Sequence, residues 1–350
     1  MRMRQLLNQN PASRMQTERL KADAAGIARA AELLSAGQLV AIPTETVYGL
    51  AGDASNAMAV ARIYAAKGRP AFNPLIVHLP DLAAAERIAV FNPQARALAD
   101  AFWPGPMTLV LPARPDSPIA SLVTAGLETV AIRLPAHPLA QALLRRFGGP
   151  LAAPSANVSG RISPTSAAHV LDPDGGLDGR IAAVLDGGRC AIGLESTIIG
   201  WQDQTARMLR PGGITAGAIA TVLSRRLATC QADPDRPDAP GQLSSHYAPK
   251  ARLRLNASAP MEGETYIGFG SPGPLSLSET GDLTQAAARL FDTLRRADTL
   301  GRPIAVAPIP AQDLGQAIND RLQRAAAPRD PSKPKSDIQQ EALFIPHREG

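Results

Sequence analysis

Apolar residues recur at helical spacing in "AGIARAAELLSAG", and Gly37 is placed to stop the helix this predicts. "QLVAIP" then reads as a short buried strand. "NAMAVARIYAAKG" predicts a second helix, with Asn56 at its N-cap and Gly68 just past its end. Short apolar runs predict further strands at "PLIVHLP", "MTLVLPA", "TVAIRLP", "GPLAAP", "AAVLDGG", "STIIGW" and "ARMLRPG". Helical segments around residues 82–102, 137–147 and 165–171 separate some of them, and "TAGAIATVLSRRL" closes the series as a helix. The alternation is irregular. Some strands nearly abut while others are spaced by helices, which predicts an α/β fold with a twisted mixed sheet and packed helices rather than a regular doubly wound one.

The pattern changes near residue 230. "CQADPDRPDAPGQLSSHYAP" is rich in Pro, Asp and Ser, has no apolar period, and reads as a linker. After it come a strand "ARLRLN", a strand "TYIGFG", a helix "TQAAARLFDTLRRADTLG", a strand "PIAVAPIP" and a helix "LGQAINDRLQRAA", the makings of a small α/β domain. From about residue 328, "PRDPSKPKSDIQQ" has the composition of a mobile tail. The expected organisation is a larger α/β domain over 18–228, a linker over 229–250 and a smaller α/β domain over 251–346. No internal repeat is visible.

With 350 residues the chain can bury one large core or two smaller ones. Lys and Arg number 36 against 31 Asp and Glu, a net charge of +5. That balance favours anionic partners such as nucleotides, phosphates or RNA without choosing among them. Cys190 and Cys230 lie far apart with no CxxC or Cys/His cluster, which argues against a disulfide framework or a zinc site. No apolar run is long enough to span a membrane. The N-terminus "MRMRQLLNQNPASRMQ" is basic and free of acids, but lacks the apolar core of a secretory signal. The expectation is a disordered extension on a cytoplasmic protein, with organelle import as the alternative.

Polar residues gather at strand and helix ends. "AIPTETVYGLAG" ends a strand on Thr44, Glu45, Thr46 and Tyr48, around Gly49 and Gly52 read as turn-forming, a setting for a small polar ligand. In "KGRPAFNPLIVH", Lys67 and Arg69 follow a helix, and Asn73 and His78 come soon after. A compact charge and a planar fork suit a polyphosphate or carboxylate, although basic residues at a helix C-terminus also complement its dipole. "APSANVSGRISPT" offers Ser155, Asn157, Ser159, Ser163 and Thr165 in one long loop, dense enough in donors to cradle an anion. Its simpler reading is a turn followed by a helix cap at Ser163 or Thr165. Arg133, late in an apolar strand, is costly to bury without an anion or a neighbouring carboxylate. Glu195, Ser196 and Thr197 begin one strand and Arg210 ends the next. No Walker A sequence, dinucleotide fingerprint or HExxH motif is present.

Taken in order, "PTETVYGL", "KGRPAFNPLIVH", "PGPMTLVL", "AIRLP", "PSANVSG", "SPT", "ESTIIG" and "RPGGIT" resemble the threonylcarbamoyl-AMP synthase family of YrdC-like enzymes over roughly residues 20 to 225. "SSHYAPKA" and "LGQAINDRLQRAA" resemble the linker and accessory domain of its long form. The resemblance implies a YrdC-like sheet with a small Rossmann-like C-terminal domain. It implies that L-threonine, bicarbonate or CO2, and ATP give L-threonylcarbamoyl-AMP and pyrophosphate, for a downstream transferase complex that modifies tRNA. By the same resemblance Thr46, His78, Arg133 and Ser196 hold threonine. Lys67, Arg69, Asn73, Ser155, Asn157, Ser163 and Arg210 hold ATP. Thr44 and Tyr48 shape the pocket, and His246 and Tyr247 close over it from the linker. Mg2+ is expected to accompany ATP, with no metal site of the protein's own. One departure is visible: the long form often carries basic residues just before its His-Tyr pair, where this chain has the uncharged "QLSS". Two other readings compete. A carbamoyltransferase with a similar domain would bring zinc-finger modules, for which two cysteines do not suffice. A non-catalytic RNA-binding module would need aromatic platforms or dense basic runs that the chain lacks.

Overall fold

The computed structural model describes residues 16–202, 204–228 and 245–328. In chain order its first part comprises β1 (Glu18–Leu20), α1 (Ala24–Ser35), β2 (Val40–Ile42), β3 (Gly49–Asp53), α2 (Ala57–Lys67), β4 (Ile76–His78), α3 (Leu82–Glu86) and α4 (Pro93–Phe102). These are followed by β5 (Met107–Pro112), α5 (Ser121–Thr124), β6 (Thr129–Arg133), α6 (Pro138–Phe147), β7 (Leu151–Ala152), α7 (Ala167–Val170), β8 (Ala183–Leu185), β9 (Thr197–Gln202), β10 (Thr205–Arg210) and α8 (Ala216–Leu223). The strands form a 10-stranded sheet in the order β1-β8-β2-β3-β7-β4-β6-β5-β9-β10. It mixes parallel pairs such as β4–β6 and β5–β9 with antiparallel pairs such as β2–β3 and β9–β10, as the irregular alternation predicts. The second part holds β11 (Leu253–Arg254), β12 (Thr265–Ile267), α9 (Leu283–Asp298), β13 (Ile304–Val306) and α10 (Leu314–Ala326). Its 3-stranded sheet, order β11-β13-β12, is parallel throughout, with α9 crossing between β12 and β13.

Local chemistry accounts for the helix limits. Asn56 caps α2 through its side chain, and Gly68, in the left-handed conformation (φ 59), ends it as expected. The segment 82–102 is not one helix but two, because Asn92 caps α4 with Pro93 in its first turn. The cap of α7 is Ser166 rather than Ser163 or Thr165; those two side chains face the interior.

Gly49 and Gly52 are a correction. Both lie inside β3, not in a turn. A Cβ on Gly52 would stand 3.0 Å from Leu39 and 3.1 Å from Ile63, and one on Gly49 would stand 3.2 Å from Ala153. Close packing, not backbone freedom, explains them. β1 and α5, too short to carry a period, were also not foreseen from the pattern.

The main core lies under the large sheet around Tyr48, Leu50, Ile63, Val77, Leu109 and Ile132. A second core joins the two parts. Leu290, Phe291, Leu294, Ile318 and Leu322 of the smaller part pack in one cluster with Val47, Ile162 and Leu194 of the larger, and with Tyr247. Gly193 allows this approach: at φ 73, a Cβ there would meet backbone atoms of Ala287 and Ala288 at 2.6–2.7 Å. The basic N-terminus, most of the predicted linker and the C-terminal tail lie outside the described residues. Among the described residues no helix is long and apolar enough to cross a membrane.

Candidate active site

Parallel pairing of β4 with β6 sets His78 opposite Arg133, so two strand ends deliver both side chains to one place. The turn after β2 brings up the rest. Thr44 Oγ1 donates to the Val47 carbonyl (2.7 Å) and accepts the N–H groups of Thr46 and Val47. The Thr46 hydroxyl therefore donates to Thr44 Oγ1 (2.8 Å) and keeps a lone pair for Arg133 Nη1 (2.9 Å). Arg133 is 4% exposed. Its Nη2 donates to Glu45 Oε1 at 2.6 Å and its Nε to the Gly105 carbonyl at 3.2 Å. Glu45 Oε2 accepts the Ala136 N–H (3.1 Å). The neighbouring carboxylate weighed as an alternative to a bound anion is thus present. It uses one corner of the guanidinium, and of the group's five N–H donors three are engaged by these contacts. His78, buried beside Arg133, is pushed down to about 3 by burial and by that cation, so its ring is neutral.

Ser196 stands at the base of β9 next to this cluster. Its hydroxyl meets Thr108 Oγ1 at 2.7 Å, and both its hydroxyl and carbonyl accept from Arg210 Nη2 (3.2 and 2.9 Å). Beyond it the site turns cationic. Arg69 binds the Asn73 side-chain oxygen (2.6 Å) and the Pro74 carbonyl (2.8 Å). Burial, with Arg210 nearby, lowers it to about 10. Lys67 Nζ donates to the carbonyls of Ser155 (2.5 Å) and Asn157 (2.7 Å), which ties the Ser155–Ser159 loop to the end of α2. Burial, and then Arg69, hold its ammonium well below its ordinary value. Ser163 donates to Glu195 Oε1 at 2.5 Å. Three buried polar atoms in this half have no hydrogen-bond partner: Asn73 Nδ2, Asn157 Oδ1 and His246 Nδ1.

His246 and Tyr247 cover the site. The neutral His246 ring lies among Lys67, Arg69 and Arg210. Burial, with those three cations, pushes it down to about 3 despite Glu195 nearby. Tyr247, at φ 60 and 1% exposed, packs edge-on against His246 and, tilted by 31°, against Phe291 of α9. The pair therefore lines the pocket and also packs on the smaller part.

One pocket is lined by Thr44, Thr46, Arg69, His78, Arg133, Ser155, Ser196, Arg210, His246 and Tyr247, together with Glu195. Lys67, Asn73, Asn157 and Ser163 stand behind its wall and hold it. Tyr48 lies further back, donating to Gly188 O (2.8 Å) and accepting Gly187 N–H (3.0 Å), so it shapes the site at one remove. The pocket is partly open to solvent, and its cavity volume is about 50 Å³. Among the described residues no group of three or more His, Cys, Asp or Glu side chains could hold a metal. Both carboxylates at the site, Glu45 and Glu195, are paired with arginines.

Sequence reasoning assigned no role to Glu45, Thr108, Glu195 or Arg321. Glu45 and Glu195 sit inside the polar clusters, where a buried arginine needs an acid. Thr108 is hidden in an apolar strand and gives no signal. Arg321 does: it falls on the buried stripe of α10 with Ala317, Ile318, Leu322 and Ala325.

The family profile described as "Telomere recombination" matches residues 32–212, and that described as "Threonylcarbamoyl-AMP synthase, C-terminal domain" matches residues 214–327. The threonylcarbamoyl-AMP synthase of Bacillus subtilis is 42% identical over 340 residues, spanning 89% of this chain and 96% of that protein. That of Pyrococcus abyssi is 40% identical over 323 residues, spanning 86% and 94%. The crystal structure of P. abyssi Sua5 complexed with L-threonine superposes with a TM-score of 0.79 at 36% identity, covering 89% of this chain and 97% of that one. A second structure, of a variant of that protein with a histidine and the following tyrosine both changed to alanine, gives 0.80 at 34% identity.

Proposed function

Because the chain belongs to the threonylcarbamoyl-AMP synthase family, we propose that this enzyme joins L-threonine, CO2 or bicarbonate, and ATP into L-threonylcarbamoyl-AMP with release of pyrophosphate. The observation that carries the residue assignment is a single pocket with two chemically distinct ends: Arg133 with Thr46 and neutral His78 at one, Arg69 and Arg210 at the other. The spare N–H groups of Arg133 suit the threonine carboxylate, with Ser196 beside it. Its partners Glu45, Thr46 and Gly105 aim the guanidinium in advance, so little ordering is left for binding. The unpartnered Nδ1 of His246, which lines the pocket, suits a polar ligand in the ATP half.

The threonine amine takes up CO2 to give a carbamate, already an anionic nucleophile. Its oxygen attacks the α-phosphorus and pyrophosphate leaves. Such a step needs alignment and charge neutralisation more than a strong base, in keeping with a site that holds a neutral histidine and paired carboxylates. Mg2+ would arrive on the ATP phosphates. With Glu45 and Glu195 both spent on arginines, the protein offers it no dedicated cage, and no step is assigned to it. The cavity is small, about 50 Å³, so we infer that His246 and Tyr247 move aside to admit ATP, and their return would exclude water from the labile adenylate. We assign residues 18–228 to the catalytic domain, 229–250 to the linker and 251–346 to the accessory domain. We place the reaction in the cytoplasm, upstream of a transferase that carries the threonylcarbamoyl group to tRNA. The test is pyrophosphate release from ATP that depends on both threonine and bicarbonate. Release that is indifferent to threonine would refute the proposal.

A further inference from the structure

Arg321 belongs to the smaller part of the molecule, yet it ends inside the larger. It is 0% exposed. Its Nε donates to Glu195 Oε2 at 2.7 Å, its Nη2 to the Pro211 carbonyl at 3.0 Å and its Nη1 to Asp320 at 2.6 Å. The guanidinium carbon sits 5.2 Å from the centre of the Tyr247 ring. Asp320 is shared with Arg324 (3.0 Å), so the fork is itself braced from its own helix.

Three of these partners, Glu195, Pro211 and Tyr247, line the nucleotide half of the pocket or adjoin a residue that does. Glu195 lines the pocket and grips the Ser163 hydroxyl with its other oxygen. Pro211 follows Arg210 directly, so fixing its carbonyl fixes the backbone that aims Arg210. Tyr247 carries His246 on its edge. A clamp meant only to join the two parts needs none of this, since α9 already supplies ion pairs across the boundary through Asp292 and Arg295. Arg321 reaches Glu195 before β9, Pro211 after β10 and Tyr247 of the covering pair together.

We propose that Arg321 is a positioning residue for the ATP half of the site, so that the accessory domain forms part of the active site without touching substrate. Charge supports the geometry. Burial pushes the Glu195 carboxyl up, but Arg321, Arg210 and the Ser163 hydroxyl outweigh it and keep it below its ordinary value. The main threonine contact stands apart: Arg133 leans on Glu45, Thr46 and Gly105, none of which Arg321 contacts, and Arg321 bears on Ser196 only through Arg210.

The proposal rests on the ATP-and-threonine reading above, and the test separates the two. In the full-length chain, Arg321→Met and Arg321→Lys are compared with wild type for the KM of ATP, the KM of threonine, nucleotide affinity by calorimetry and thermal unfolding. Loss of charged hydrogen bonds worth about 1.5–3 kcal/mol should raise the ATP KM and Kd by roughly tenfold or more in Arg321→Met. The threonine KM should stay within about threefold, and Arg321→Lys should recover part of the loss. If Arg321→Met strands Glu195 and fails to fold, Arg321→Met/Glu195→Gln removes both charges and should fold with the ATP defect intact. Unchanged ATP affinity, parallel loss for both substrates, or a chain that folds only with Arg321 in place would overturn the proposal in favour of a structural clamp. Wild-type protein lacking threonine-dependent pyrophosphate release would instead refute the reaction, and calorimetry with ATP would still decide the role of Arg321.

Discussion

Arg133 cannot be removed without leaving a buried acid behind. Arg133→Ala should lose about 2–5 kcal/mol of threonine binding, seen as a large rise in the threonine KM with little change for ATP. It should also lose about 3–5 kcal/mol of stability, because Glu45 stays buried without its cation. Arg133→Ala/Glu45→Gln should regain much of the stability and none of the threonine affinity, as chemical denaturation and steady-state kinetics would reveal. His246 gives a pH dependence. Its pKa is lowered to about 3 where it is buried, against about 6.5 when exposed. Between these values an exposed His246 binds a proton that the buried ring does not, so its burial is fully stable above the exposed pKa and weakens as pH falls below it. Going from pH 7 to pH 5 should cost roughly 2 kcal/mol, visible as faster amide exchange around residues 245–248, and His246→Gln should flatten the response. At this scale the sequence was partly legible. Arginines, hydroxyls and amides at strand ends announced a polar site. Which of them face the cavity and which, like Lys67 and Ser163, hold its wall depends on long-range contacts that no local pattern encodes.

Elements with a period were the readable ones. α1, α2, α9 and α10 emerge from apolar spacing, helped at α1 and α2 by Gly37, Asn56 and Gly68, and β5, β6 and β9 from continuous apolar runs. β3 did not, because "GLAGD" looks like a turn until Leu39, Ile63 and Ala153 are seen to leave no room for larger side chains. Close approach also governs the junction ahead of β9. Gly193 has a positive φ, and a Cβ there would press on the backbone of α9 at 2.6–2.7 Å. Gly193→Ala should therefore cost roughly 1–3 kcal/mol of overpacking, with the left-handed conformation adding about 1 kcal/mol or more. A lowered Tm, together with faster proteolysis between the two parts, would mark it; a Tm equal to wild type would show that α9 can retreat at no cost. The loop tied by Lys67 makes a second case. Lys67→Met keeps the stem but drops both carbonyl contacts, so the Ser155–Ser159 backbone should exchange faster and ATP affinity should fall, while the helix content of α2 is unchanged by circular dichroism.

At the scale of the whole molecule, periodicity predicts two α/β units with a linker over 229–250, most of which lies outside the described residues. It does not show that the boundary has an apolar core, since Val47, Ile162 and Leu194 each look like ordinary interior residues of the first unit. They are interior only because Leu290, Phe291 and their neighbours cover them. The consequence concerns solubility. Cut after residue 228, the first unit would turn those three side chains toward water beside the pocket mouth, an apolar patch of the kind that drives proteins to associate. Such a fragment should sediment as dimers or larger species and scatter light as its concentration rises. Ile162→Ser/Leu194→Ser, made only in the fragment, should return it to a monomer. In this chain, then, dissecting the two units would be a colloidal problem before it became an enzymatic one.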